Sequence, residues 1–234
     1  MVADVIGQTA PVNLIQTGST QGLTELPPHL DLVDPDPFAG PDHPMRVITR
    51  EVAFDGVWNA ERAARVAQVF DSMASDWSVK NIDETKAAPI ADGLDRGEVP
   101  LDGRWLELGS GTGAGTIVAS DRVSSLVAFD LAAEMLANAP AGLAPRVRGD
   151  ASRLPFGDNV FDGVLMVNML LFPHEVARVL TAAGAVLWVN TLGDQTPIHL
   201  PPADVSAALP GTWVGLASRA GSGFWTALRR SANT

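Results

Sequence analysis

The chain has 234 residues, 46% hydrophobic and 18% charged, which is enough apolar material for one domain core with an appendage. Its formal net charge of -11 disfavours nonspecific attraction to phosphate backbones and anionic bilayers, so neither nucleic acid nor a membrane is expected as a partner. The absence of cysteine excludes disulfides, thiolate metal sites and a cysteine nucleophile, and is consistent with a cytoplasmic protein.

The first residues, MVADVIGQTAPVNLIQTG, carry Asp4 and no Lys or Arg, so they lack the basic region of a secretory signal. No apolar run reaches the roughly 18 to 20 residues of a membrane span, and the protein is expected to be soluble. Residues 1–45 hold Pro11, Pro27, Pro28, Pro35, Pro37, Pro41 and Pro44 with six acidic residues and no basic one. That composition predicts an irregular arm, anchored if at all by Val12, Leu14 and Ile15, whose removal up to residue 40 leaves a folded core.

Residues 46–100 read as a helical segment. Asn59 is placed to cap a helix in which Ala63, Val66, Ala67, Val69, Phe70 and Met73 recur at helical spacing up to about Trp77. A second helix is predicted from Asp83 to Leu94, ending before Gly97 and Pro100. Both stand ahead of the first core strand, where they could cover the mouth of a site.

From residue 101 to the end, strands and helices alternate. Strands are predicted at Arg104 to Leu108, Ser124 to Asp130, Arg146 to Arg148, Val160 to Asn168 and Ala183 to Asn190, with helices after the first, second and fourth. Trp213 to Ser218 and Phe224 to Arg229 flank the turn RAGSG as an antiparallel hairpin. The result is an α/β fold, a doubly wound, mostly parallel seven-stranded sheet with an antiparallel C-terminal hairpin, binding its ligand at the carboxyl ends of the strands.

In RWLELGSGTGAG, Gly109, Gly111 and Gly113 follow a buried strand and precede a helix. Glycine there admits positive φ and close approach of a ligand, and the helix start offers unpaired N–H groups. Glu107 lies before this loop, Asp130 ends the second strand and Asp150 follows the third, so all three acids fall along one sheet edge. A carboxylate at Asp130 can accept from both hydroxyls of a ribose. Asp150 can accept from an exocyclic amine and the N–H of Ala151 can donate to a ring nitrogen, while Glu107 could orient the glycines or meet a cationic group.

Taken together, ELGSGTG, VAFD, GDASRLPF and FDGVLMVNML resemble the class I S-adenosylmethionine-dependent methyltransferases, and HEVARVLTAAGAVLWVN is similar to that family's following helix and strand, with Ala183 and Gly184 where a glycine pair is usual. The resemblance covers about residues 60–230. It implies S-adenosyl-L-methionine as cofactor, a Rossmann-like fold and a small-molecule acceptor. It places Gly109, Ser110, Gly111 and Gly113 on the cofactor's amino-acid part and ribose, Asp130 on the ribose, and Asp150 with Ala151 on the adenine. Leu131 and Met135 would pack on adenine or ribose, and Asn168 would point toward the transferable methyl.

Methyl transfer from an activated sulfonium asks mainly for proximity and exclusion of water, so the motifs name no catalytic residue. His174 is a candidate base, set against an exposed histidine at a helix start. The four histidines are scattered, which disfavours a metal site. Two other functions fit the same residues. One is an NAD(P)-dependent oxidoreductase, since Gly109, Gly111 and Ala114 with Asp130 also satisfy a dinucleotide pattern. The other is a noncatalytic S-adenosylmethionine-binding module. The acceptor, the atom methylated and the oligomeric state, a homodimer included, stay open.

Overall fold

The computed structural model describes residues 22–35, 43–77 and 83–231. The suggested anchors Val12, Leu14 and Ile15 lie outside them. In chain order the elements are β1 (Leu23–Glu25), α1 (Pro44–Arg50), a π-helical turn (Glu51–Asp55), α2 (Ala60–Met73), α3 (Glu84–Arg96), β2 (Arg104–Leu108), α4 (Ala114–Ser120), β3 (Ser125–Asp130), α5 (Ala133–Asn138), β4 (Arg146–Arg148), β5 (Phe161–Val167), α6 (Pro173–Val179), β6 (Leu180–Asn190), a 3-10 turn (Gly193–Gln195), α7 (Pro202–Ala208), β7 (Trp213–Ala220) and β8 (Gly223–Arg230).

They build one sheet in the order β1-β7-β8-β6-β5-β2-β3-β4. The neighbours β6/β5, β5/β2, β2/β3 and β3/β4 are parallel, whereas β8 runs antiparallel to β6 and to β7. The expected fold class therefore holds, with eight strands in place of seven. The extra strand, β1, comes from the arm expected to be irregular. It pairs parallel with β7 over Leu23 to Glu25, and Leu32 bridges to Gly221. Pro27 and Pro28 end it, and three residues suffice to continue an existing edge.

The central strands are buried on both faces, so they read as continuous apolar runs, and the two-residue period sorts them into two cores. Leu106, Leu108, Val164, Met166, Val186 and Trp188 share one face with α6 and α7 residues such as Val176 and Val205. Trp105, Leu165, Leu187, Val189 and Trp225 share the other with Ile90 and Leu94 of α3. The helix α3 is thus part of the core, packed on β6, β7, β8 and α4, and not a cover over the strand ends as expected. Gly93 makes that packing possible, because a Cβ there would meet Leu187 Cδ1 at 2.8 Å and the Trp225 ring at 3.1 Å.

Pro89 inside α3 leaves the Thr85 carbonyl without its intrahelical donor. The N–H of Ser222, in the hairpin turn, donates to that carbonyl at 3.1 Å instead. A few residues on, Asp92 has a fully buried side chain that accepts from Trp225 Nε1 at 2.6 Å and Arg96 Nη1 at 3.1 Å, with His29 Nδ1 at 3.0 Å. Arg96 also donates to the Pro27 carbonyl. One helix therefore fastens the hairpin and the N-terminal arm to the sheet. Among the described residues no helix is long and apolar enough to cross a membrane.

Candidate functional site

At the carboxyl end of β2 the chain turns through Gly109, Gly111 and Gly113, with φ of 70°, 53° and 90°. A Cβ on Gly109 would fall 2.4 Å from Met169 Sδ, so this position requires glycine twice over, for its conformation and for its space. The N–H groups of Gly109 and Ser110 both donate to the Phe129 carbonyl, at 2.9 and 3.1 Å, tying the loop to the end of β3.

Asp130 completes that tie. Its Oδ2 accepts from Gly111 N and its Oδ1 from Ala132 N, both at 2.8 Å. Burial raises its pKa, and those backbone donors, with that of Leu131, oppose the rise. The carboxylate, with about four acceptor directions, keeps capacity for a ligand hydroxyl beside these donors.

Glu107 sits beneath the loop, 1% exposed. It accepts from Thr116 Oγ1, and α4 approaches so closely that a Cβ on Gly115 would lie 2.3 Å from Glu107 Oε1. Burial pushes its carboxyl up to about 8, aided by the nearby Asp130 charge and opposed by the Thr116 hydroxyl. Ser110, 4% exposed, has its Oγ buried without a hydrogen-bond partner. An orphaned hydroxyl on a glycine loop, above a carboxyl that a cation would ionise, fits a polar, positively charged amino-acid group.

These groups line one cleft. It contains Glu107, Gly109, Ser110, Gly111, Asp130, Leu131, Met135, Asp150, Ala151 and Asn168, so ten of the eleven expected cofactor residues come together. Gly113 does not line it and instead caps α4 from behind, while its neighbours Thr112 and Ala114 do. The segment presenting Asp150 is held by α6. Glu175 Oε2 accepts from Leu154 N at 2.6 Å, and Arg178 donates to the Phe156 and Leu154 carbonyls. The Arg178 hydrogen bonds hold the Glu175 carboxyl below its ordinary pKa.

Asn168 has φ of 50° at the end of β5. Its side-chain amide is paired with Thr191, donating to Oγ1 at 2.8 Å and accepting from the Thr191 N–H at 3.0 Å. It lines both clefts, and its amide also clamps the ends of β5 and β6 together. His174 is exposed on the first turn of α6 and lines no part of the cleft, so the geometry gives it no role as a base. Pro173 starts that helix at its buried edge and turns the next side chain to solvent.

Sequence reasoning gave Trp58, on the approach to α2, no place in the site, whereas α2 itself was expected as a cover. Trp58 Nε1 donates to both Asp150 oxygens, at 3.0 and 2.9 Å. Val66, Ala67 and Phe70 of α2 then line the cleft, Asp71 Oδ1 accepts from Glu134 N at 2.8 Å, and the Trp77 carbonyl accepts from Thr112 Oγ1 at 2.6 Å. The helical spacing marked the α2 residues as one face of an expected cover, and nothing local paired Trp58 with Asp150.

A second, larger cleft adjoins the first, with about 2260 Å³ of empty space open to solvent. Met45, Ile48, Val69 and Met73 wall one side, and Thr191, Leu192, Pro197 and Ile198 the other, with Arg62, Arg65 and Lys86 among its lining. Phe70, Trp77, Asn168 and Ile198 belong to both clefts. His43 also lines the second, with Nδ1 accepting from Met45 N at 3.2 Å as the cap of α1. Among the described residues no group of acids and histidines could hold a metal ion.

Residues 106–189 match the methyltransferase-domain family. The chain is 32% identical over 137 residues to a demethylmenaquinone methyltransferase of Mycolicibacterium paratuberculosis, covering 52% of this chain and 57% of that protein. It is 38% identical over 89 residues to one of Mycobacterium tuberculosis, covering 35% and 38%. The chain thus spans between about a third and somewhat over half of these relatives' length. Among solved structures, a DhpI-SAH complex superposes with a TM-score of 0.57 at 20% identity, over 71% of this chain and 96% of that one. A SAM dependent methyltransferase from Aquifex aeolicus gives 0.54 at 18%, over 68% and 97%. At these identities the two structures speak for the fold alone.

Proposed function

We propose that the chain is a class I S-adenosylmethionine-dependent methyltransferase, which transfers a methyl group from S-adenosylmethionine to a small apolar acceptor. The observation that carries this reading is the junction of the two clefts. Three buried or half-buried acids stand at the ends of adjacent strands around a glycine loop, and the cleft they line shares Phe70, Trp77, Asn168 and Ile198 with a second cleft whose lining is mostly apolar.

In this reading Gly109, Ser110 and Gly111 with Glu107 hold the amino-acid end of the cofactor, Asp130 the ribose, and Asp150 with Ala151 the adenine, with Leu131 and Met135 against the nucleoside. When bound, the cofactor supplies a methyl group already activated by its sulfonium. The chain's own work is to orient the acceptor and exclude water, which α2 does by spanning both clefts. We take residues 46–77 as the cover of the site, narrower than the 46–100 expected.

Ile48, Val66, Val69, Phe70 and Ile198 favour an apolar acceptor. The relatives' name, demethylmenaquinone methyltransferase, points the same way. Net acidity supports a small molecule over a nucleic acid, and the absence of cysteine supports a cytoplasmic setting. The NAD(P) alternative draws on the same glycines and on Asp130, so ligand binding has to separate the two.

Titration calorimetry with S-adenosylhomocysteine and with NAD tests the cofactor: binding of the first and not the second is expected, and the reverse would sink the reading. Transfer of a labelled methyl group to apolar phenol and quinol acceptors then separates the enzyme from a noncatalytic module.

A further inference from the structure

The contact between Trp58 and Asp150 joins residues 92 positions apart, one on the approach to α2 and the other in the cleft floor. Trp58 is held in a stiff corner. Gly56 reverses the chain with φ of 64°, Asn59 caps α2 through Arg62 N, and Arg62 Nη1 reaches back to the Val57 carbonyl at 2.7 Å. The indole lies edge-on to Phe172, with ring centroids 5.2 Å apart at 78°.

The N–H donates nearly symmetrically to the two carboxylate oxygens, at 3.0 and 2.9 Å, while Ser152 N donates to Oδ1 at 2.8 Å. A carboxylate offers about four acceptor directions, and these bonds use three of them. Its plane is fixed by two donors on separate segments, and one direction, on Oδ2, remains for a ligand. A carboxylate held this way accepts an amine and repels a carbonyl.

Resting on the cofactor reading above, we propose that Trp58 is a positioning residue for nucleobase recognition: its indole N–H sets the Asp150 carboxylate so that this end of the cleft takes an exocyclic amine and rejects a carbonyl. The discrimination between a 6-amino and a 6-oxo purine nucleoside depends on a residue outside the glycine and acid motifs.

The test compares the wild-type protein with Trp58→Phe and Trp58→His, titrating each with S-adenosylhomocysteine and with its hypoxanthine counterpart, S-inosylhomocysteine. Wild type is expected to prefer adenine by at least about tenfold, the worth of one good hydrogen bond. Phenylalanine keeps the ring against Phe172 but has no N–H, and the preference should fall to within about threefold. Histidine supplies an N–H and should restore part of it, which a merely structural role would not do. A folded Trp58→Phe protein that keeps the wild-type ratio overturns the proposal, as does loss of cooperative thermal unfolding in both variants, which would make Trp58 a core residue. Wild-type protein that binds neither nucleoside overturns the cofactor reading itself, and a wild-type protein that binds both equally overturns only the role of Trp58.

Discussion

Glu107 is the residue whose chemistry burial changes most. Its folded-state pKa, about 8, stands above its ordinary 4.5, so the folded protein holds a proton that the unfolded chain releases between those values. The sign follows from proton linkage: stability from this group is fully present below pH 4.5 and is lost as pH rises toward 8. In the ligand-free protein, Glu107→Gln keeps a neutral partner for Thr116 and should remove this dependence. Denaturant unfolding at pH 5 to 9 should show wild type losing ground to the variant by at most about 1.4 kcal/mol per pH unit across that window. Equal pH profiles would mean the carboxyl is ionised throughout. At Asp130 the effect is on ligand. Asp130→Ala is expected to weaken S-adenosylhomocysteine binding by roughly 1 to 3 kcal/mol by calorimetry, through loss of a charged acceptor and of the Gly111 and Ala132 tethers.

Among the elements, α3 shows how a helix can be read correctly and placed wrongly. Its start at the Asp83 cap and its end near Gly97 follow from the sequence. Nothing local says that Pro89 frees a carbonyl for Ser222, or that Asp92 is destined for Trp225, since both partners lie over 130 residues away. Asp92→Ala should cost about 3 kcal/mol, because it leaves the Trp225 N–H buried without an acceptor and Arg96 without its buried partner. Thermal unfolding would measure it, and a change under 1 kcal/mol would show that water replaces the carboxylate. The arm is now expected to matter where the sheet continues into it. Deletion through residue 34 removes β1 and His29 and should lower the melting temperature by about 5 °C, whereas deletion through residue 21 spares both. In α4, Gly115→Ala should weaken the site by pressing a methyl on Glu107 Oε1, visible as lost ligand affinity in an otherwise folded protein.

For the molecule as a whole, the core was legible because each of its signals is local. Buried parallel strands give apolar runs, glycines mark the turn, and acids at strand ends share an edge once the strands are parallel, which is why Glu107, Asp130 and Asp150 were found without coordinates. The cover helix α2 was legible from its spacing, but the Trp58 contact with Asp150 was not, because it joins residues 92 positions apart. Asn168 was located at its strand end but not oriented, since its partner Thr191 belongs to another strand's end. Because these elements build one site, ligand should stabilise the whole fold. S-adenosylhomocysteine at a hundred times its dissociation constant should add about 2.7 kcal/mol, read as a rise in melting temperature, and no shift at saturation would contradict one site shared by all these elements.

The parallel pairing of β1 with the far edge of the sheet also limits the conformational freedom of the segment that follows it. Residues 43–77 are bracketed in the chain by segments fixed to the sheet, β1 and the Leu32 bridge on one side and α3 on the other. The cover is therefore a tethered loop and not a free N-terminal flap. Much of the entropy of bringing its ends together is lost when the protein folds, before any ligand arrives. A ligand beneath α2 meets a segment whose ends are already fixed, so less of its binding free energy goes into holding them.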